Sequence, residues 1–363
     1  MWKKIGKGER MLEFYKGKKV LVTGHTGFKG SWLCTILKMA GAEVIGYSLP
    51  SSEIKNLFEI ANIAEGMISC NGDIRNISGL EKIFLEYQPE IVFHLAAQPL
   101  VRESYINPVY TYETNVLGTV NLLECVRRSK TVRSVLNVTT DKVYENKEWE
   151  WGYRENENLN GYDPYSNSKS CSELVTSSYQ KSFLNERDIR VSTARAGNVI
   201  GGGDFSKDRI IPDCIRAAEE EKTIIVRNPY AVRPFQHVIE PLMAYLLIAE
   251  KQWEDASVQG NYNVGPDEKD CVTVGKLTDI FCTKWGDYCS WVSQQDQGPH
   301  EAAYLRLDCS KIKQRLSWKS VWGIEEAIDQ TVKWHKAYLD GGDSKEVMEQ
   351  QINQYIKESI QIV

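Results

Sequence analysis

The stretch Thr23-Gly24-His25-Thr26-Gly27-Phe28-Lys29-Gly30 decides how this chain is read. It follows an apolar run at 18–23 that suits a buried parallel strand, and it opens a helical pattern over 28–40, closed by Gly41. Glycines at 24, 27 and 30 let the backbone turn tightly and come close to a pyrophosphate. The helix start then offers free N–H groups and the positive end of its dipole. Such a triplet is common by itself. Between a strand and a helix it reads as a dinucleotide loop, with Gly24, Thr26, Gly27, Phe28, Lys29 and Gly30 against the cofactor.

Outward from the loop, strand and helix signals alternate. Strands are expected at 43–47, 67–70, 90–95, 132–138 and 189–195, with helices at about 77–87, 112–129 and 162–183. Strands separated by helix-length segments make βαβ units, hence an α/β fold with a Rossmann-type doubly wound parallel sheet. Beyond that the rhythm breaks. Gly201 to Gly203, Pro212, Pro229 and Pro234 punctuate shorter elements, with helices expected at 208–221, 239–252 and 273–285. This is the pattern of a smaller C-terminal α/β substrate domain. The expected division is a dinucleotide domain over 12–198 with a returning segment at 232–262, a substrate domain at 199–231 and 263–340, and an amphipathic terminal helix at 341–363. Residues 1–10, short and basic before Met11, read as an extension.

Composition narrows the class. The chain has 363 residues, enough for two domains, with 42% hydrophobic and 26% charged residues, which excludes a disordered chain. A net charge of −5 without a basic tract speaks against nucleic acid, and no apolar run reaches the length of a membrane span. The nine cysteines sit singly with no Cys-x-x-Cys, and the five histidines supply no metal set. They read as thiols of a reducing compartment, so a cytoplasmic enzyme without metal is expected.

Tyr165-Ser166-Asn167-Ser168-Lys169 carries the chemistry. A Tyr and a Lys four apart share one helix face, and the ammonium is expected to lower the tyrosine pKa from near 10. That tyrosine can then take a proton from a sugar hydroxyl while hydride leaves the same carbon. Thr139 and Thr140 end the preceding strand, and Thr140 would hydrogen-bond the reacting oxygen. The second strand ends Gly46-Tyr47-Ser48 with no carboxylate for a ribose, which leaves NAD against NADP open at that position. The fourth strand runs into His94-Leu95-Ala96-Ala97-Gln98, whose small residues would let a cofactor lie against the sheet edge, with Leu95, Ala96 and Ala97 beside it.

These motifs resemble the extended branch of the short-chain dehydrogenase/reductases, the NAD-dependent epimerase/dehydratase family. Within it, Thr140-Asp141-Lys142, the run Tyr162 to Lys169 and Gly24 to Trp32 resemble the nucleotide-sugar 4,6-dehydratases. So do His94 to Arg102, Glu148 to Glu157, Arg195 to Asp204 and Arg233 to Val238, over about residues 12 to 340. Most such dehydratases carry Thr-Asp-Glu; Lys142 in place of the glutamate matches the branch that acts on CDP-glucose. The resemblance implies NAD as cofactor, held also by Tyr47, Asp73, Ile74, Thr139, Tyr165 and Lys169. It implies Thr140, Asp141, Lys142, Tyr165 and Lys169 as catalytic residues, with Asp141 the acid at O6 and Lys142 the base at C5. For the substrate it points to Gln98, Asn198, Arg209, Arg227, Arg233 and His300. Each arginine also reads as a surface ion pair, and His300 as a structural residue. A homodimer or dimer of dimers through helices near 112–129 and 163–183 is implied as well. A nucleotide-sugar 4-epimerase needs the same Tyr and Lys but no acid at O6, a different nucleotide-glucose remains open, and a non-catalytic NAD sensor is the distant alternative.

Overall fold

The computed structural model describes residues 7–51, 55–286, 289–294 and 304–360. The first half runs α1 (Lys7–Tyr15), β1 (Lys19–Thr23), α2 (Phe28–Met39), β2 (Glu43–Ser48), α3 (Leu57–Ile60), β3 (Ile68–Asn71), α4 (Ile77–Tyr87) and β4 (Ile91–His94). It continues through α5 (Val101–Ile106), α6 (Pro108–Tyr112), α7 (Gly118–Arg128), β5 (Ser134–Thr140), α8 (Pro164–Tyr179) and β6 (Arg190–Ala196). The second half holds β7 (Val199–Ile200), α9 (Ile210–Glu219), β8 (Ile224–Val226), β9 (Val232–Arg233), β10 (Gln236–His237), α10 (Ile239–Glu254) and β11 (Asn261–Val264). After it come β12 (Val272–Thr273), α11 (Val274–Trp285), β13 (Trp291–Ser293), α12 (Ser310–Leu316), α13 (Ile324–Leu339) and α14 (Ser344–Ser359).

Seven strands form one sheet in the order β3-β2-β1-β4-β5-β6-β11, every neighbouring pair parallel. Alternation along β1 sorts the core: Val20 and Val22 face the layer that includes α2, α10 and α14, and Leu21 faces the α4 and α7 side. The winding reverses between β1 and β4, which opens a crevice at their carboxyl ends, the usual ligand position in such sheets. Three two-stranded sheets, β7 with β10, β9 with β12 and β8 with β13, build the smaller lobe.

Several expectations need correction. The single helix at 112–129 is instead α6, a π-helical turn at Glu113–Leu117 and α7. The wider turn places the Asn115 side chain, 1% exposed, where it holds Gln98 N at 2.8 Å and Ser168 Oγ at 2.9 Å. Residues 7–10 of the expected extension belong to α1, whose later residues are core: Tyr15 is fully buried and donates to the Leu246 carbonyl at 2.6 Å. Among the elements that went unread are the short polar strand β11 and the amphipathic helix α13.

Candidate active site

β5 delivers Thr139 and Thr140 to the crevice, and a single 3-10 turn, Asp141–Val143, follows. Thr140 caps that turn by accepting from Lys142 N at 3.4 Å, while its hydroxyl donates to Asp141 Oδ1 at 3.0 Å. α8 begins at Pro164 and is capped by Asp163, whose carboxylate accepts from Ser166 N at 3.0 Å. The cap sets where Tyr165 leaves the helix, and Lys169 follows one turn later on the same face. Tyr165 shares a side-chain hydrogen bond with Thr140, so strand and helix meet at these two hydroxyls.

Asp141 is 1% exposed, and its Oδ2 has no hydrogen-bond partner among the described residues. A buried carboxylate oxygen without a donor is costly, which makes Oδ2 an acceptor available to a bound hydroxyl. Lys142 Nζ lies 3.8 Å from Oδ1 and its side chain is a third exposed. A Cβ at Gly197 would stand 3.0 Å from Oδ2, so glycine keeps the space before that oxygen open. Lys29 feels the Asp141 charge, and the cationic Arg209, Lys169 and Lys142 bear on Lys29 as well.

Burial pulls Lys29 down to about 8, with the Arg209 charge adding to it, and pulls Lys169 to about 8 against the opposing charge of Glu173. Tyr165 moves the other way, to about 12, because burial outweighs the Thr140 hydrogen bond and the Arg209 charge. The lowering expected from Lys169 does not outweigh burial in this arrangement. The Lys169 ammonium donates instead to the Val138 carbonyl at 2.9 Å.

At the crevice mouth, Gly24 has φ +74°, and a Cβ there would stand 2.8 Å from Ala96 N. That contact is the close approach of the glycine loop to the Leu95-Ala96-Ala97 turn. A Cβ at Gly30 would stand 2.2 Å from Gly24 O, so α2 packs tightly under the loop. Gly27 caps α2 without any side-chain hydrogen bond, leaving the first-turn amides open to an anion. The Thr26 hydroxyl joins Ser48 Oγ at 2.6 Å and fastens the loop to the end of β2, while Phe28 leans towards Gly201. These features fit a dinucleotide.

Other expected residues are held by protein partners. Tyr47 is 3% exposed and donates to the Asp73 carbonyl at 3.2 Å, so its hydroxyl supports the Gly72-Asp73 turn from inside. The Asp73 carboxylate is gripped by Arg75, with Nη2 to Oδ2 at 2.6 Å, and Ile74 packs under Gly118. Thr139 donates to Glu173 Oε1 at 2.5 Å, which turns its hydroxyl away from the crevice. Gln98 spends its amide on Leu100 and Thr111 and shapes the loop ahead of α5.

Asn198 follows Gly197 and carries a buried Oδ1 without a partner among the described residues. Arg209 pairs with Asp204 at 3.2 Å while its charge reaches Lys29 and Tyr165. Arg227 reaches Asp208 at 3.2 Å and Asp213 at 3.9 Å. Arg233 is 7% exposed and donates to the Val232 carbonyl beside Pro234, the residue that faces Gly197. His300 lies outside the described residues.

Residues 21–331 match the family model described as GDP-mannose 4,6 dehydratase. The chain belongs to that family. Among 4,6-dehydratases, it is 49% identical over 94% of its length to the CDP-glucose 4,6-dehydratase of Salmonella typhimurium, covering 97% of that protein. Its fold matches the dTDP-glucose 4,6-dehydratase of Bacillus anthracis in complex with NAD, with TM-score 0.75 and 22% identity over 90% of this chain and 99% of the other. It equally matches the UDP-glucose 4-epimerase of Thermotoga maritima with UDP-glucose, at TM-score 0.75 and 23% identity over 88% and 99% of the two chains.

One part of this 4,6-dehydratase site escaped the sequence reading. Glu173, one turn beyond Lys169, forms a fully buried pair with Arg195 at 3.0 and 2.9 Å. Arg195 also bonds Tyr144 Oη at 2.8 Å, and Tyr144 donates to Asn263 on β11 at 2.6 Å. The only available signal was an arginine inside an apolar strand, which rarely stands buried without a carboxylate partner.

Proposed function

We propose that the protein converts CDP-D-glucose to CDP-4-keto-6-deoxy-D-glucose by removing one water, with NAD held throughout. The observation that carries this reading is Asp141, a buried carboxylate with one oxygen unpartnered, beside Thr140, Tyr165 and Lys142. An epimerase has no work for that acid. The 49% identity to a CDP-glucose 4,6-dehydratase over nearly the whole chain supports the nucleotide, as does lysine at 142.

The open amides of α2, the glycines at 24, 27 and 30 and the Ala96 turn would hold the dinucleotide, with Lys169 beneath it. NAD, when bound, supplies the chemistry of accepting a hydride from C4 of the sugar and returning it at C6. The residues move the protons. Tyr165 takes the C4 hydroxyl proton, aided by the Thr140 hydrogen bond and the Arg209 charge that oppose its burial. Lys142, a third exposed, removes the C5 proton, and Asp141 serves as the acid at O6, which leaves as water. Asn198, Arg209, Arg227 and Arg233 face the diphosphate end in this reading, where guanidinium forks match phosphate oxygens.

The domain division follows the same logic: the segment to about residue 198 with its return through α10 and β11 holds the dinucleotide, and the intervening segments hold the sugar nucleotide. No helix among the described residues is long and apolar enough to cross a membrane. The reading includes a cytoplasmic homodimer. Leu117, Leu174 and Phe183 stand 54%, 57% and 43% exposed on neighbouring helical segments, an apolar surface that a second copy would cover.

Incubation of the protein with CDP-glucose and NAD, followed by proton NMR, tests the reaction. The expected product is a 4-keto-6-deoxy sugar with a new C6 methyl signal. A CDP-hexose isomer of unchanged mass would instead make this an epimerase, and faster turnover of dTDP-, UDP- or GDP-sugars would reassign the nucleotide.

A further inference from the structure

The nine cysteines stand singly in sequence, yet the fold brings two together. Cys282, in the last turn of α11, and Cys289, just ahead of β13, have their sulfurs 3.3 Å apart. This approach is built into the register of the two elements. Trp291 Nε1 donates to Asp279 Oδ1 at 2.8 Å, a second tie between the same partners. Asp279 and Cys282 are three apart on a helix and share a face. Cys289 and Trp291 are two residues apart, so the chain passes the helix in the opposite direction and both ties close in step. β13 is held on its far side by β8, with Trp291 opposite Ile224. Both thiols are half-buried, within reach of a small molecule, whereas Cys214 on α9 nearby is fully buried.

We propose that Cys282 and Cys289 are a redox-active dithiol that closes to a reversible disulfide by exchange with a small disulfide such as oxidised glutathione. The Cys289 thiolate attacks one sulfur of the oxidant, the oxidant's S–S bond breaks, and one small thiol leaves. Cys282 then displaces the second small thiol as it bonds Cys289. Two S–H bonds become one S–S bond, and two electrons and two protons leave on the two small thiols. Closing from 3.3 Å to the bonded distance of about 2.05 Å brings the sulfurs roughly 1 Å closer. Burial, with the Cys289 hydrogen bond beside it, pushes the Cys282 thiol up to about 12, which disfavours its thiolate.

The test equilibrates the reduced full-length protein in glutathione buffers of increasing oxidised fraction, then blocks free thiols and maps them by mass spectrometry. The expected result is loss of two thiols together, one Cys282–Cys289 linkage in the digest, and full reversal by dithiothreitol. Cys282→Ser and Cys289→Ser, checked for native unfolding profiles, should each abolish the linkage and leave at most a mixed glutathione adduct. Should either variant misfold, the wild-type digest decides alone. Thiols that all remain free at the oxidising end would overturn the proposal, and so would a bridge that maps to Cys214 or joins two subunits.

Discussion

Asp141 and Lys142 are adjacent in sequence but meet different surroundings, one sealed at 1% exposure and the other a third exposed. Separate roles follow. Asp141→Asn keeps the shape but removes the acid, so solvent deuterium should enter C5 of CDP-glucose while water loss slows by about 10² to 10⁴. Lys142→Met should slow C5 exchange itself; exchange at the wild-type rate in that variant would remove Lys142 from the role of base. Lys169 makes a prediction about stability. Its folded pKa of about 8 lies below the ordinary lysine value of 10.5, so between these the unfolded chain binds more protons. The penalty for burying the charge is full below about pH 8 and gone above about 10.5. Relative to Lys169→Met, the wild-type protein should therefore gain stability across that window, by on the order of 3 kcal/mol. Parallel urea unfolding of both proteins at the two ends measures it; a constant difference would mean Lys169 keeps its ordinary pKa.

At the scale of elements, the parts legible in sequence were those whose pattern is local. β1, the glycine loop and α2 announce themselves by an apolar run, three glycines and a helical period. β11 does not, because Asn261 and Asn263 break the apolar run, and their polarity makes sense only against partners far away in the chain: Asn263 binds Tyr144, Tyr153 and Asp308. Thr139 and Tyr47 show the same limit. Position near the crevice was readable, but which side of the strand each hydroxyl serves depends on Glu173 and Asp73, and those partners were not. α14 shows the principle in its docking. Glu240 on α10 is fully buried, raised to about 7 by desolvation, and accepts from Val321 N, Trp322 N and the Tyr355 hydroxyl at 2.8, 2.6 and 2.7 Å. Tyr355→Phe removes one donor from a buried carboxylate and should cost about 1–3 kcal/mol. Because Glu240 is ionised above about pH 7, the loss should be larger at pH 8 than at about pH 5. Denaturant midpoints at both values would show it, and an equal loss at both would point to packing alone.

At the scale of the molecule, the exposed Leu117, Leu174 and Phe183 predict self-association. Leu174→Glu should convert a dimer to a monomer in sedimentation velocity while leaving the far-ultraviolet circular dichroism unchanged; a wild-type monomer would remove the dimer from the reading. The seventh strand carries a different kind of consequence. β11 is contributed by residues made only after the chain has left the sheet and returned, and it covers the otherwise open edge of β6. Its Asn263 also completes the hydrogen bonding that surrounds the buried Arg195. On the ribosome, then, the nascent dinucleotide half emerges with a bare edge and an unfinished polar interior, and it must wait for roughly seventy more residues before it can close. The two lobes mature together, and neither is a module that evolution or an engineer could transplant by a single cut.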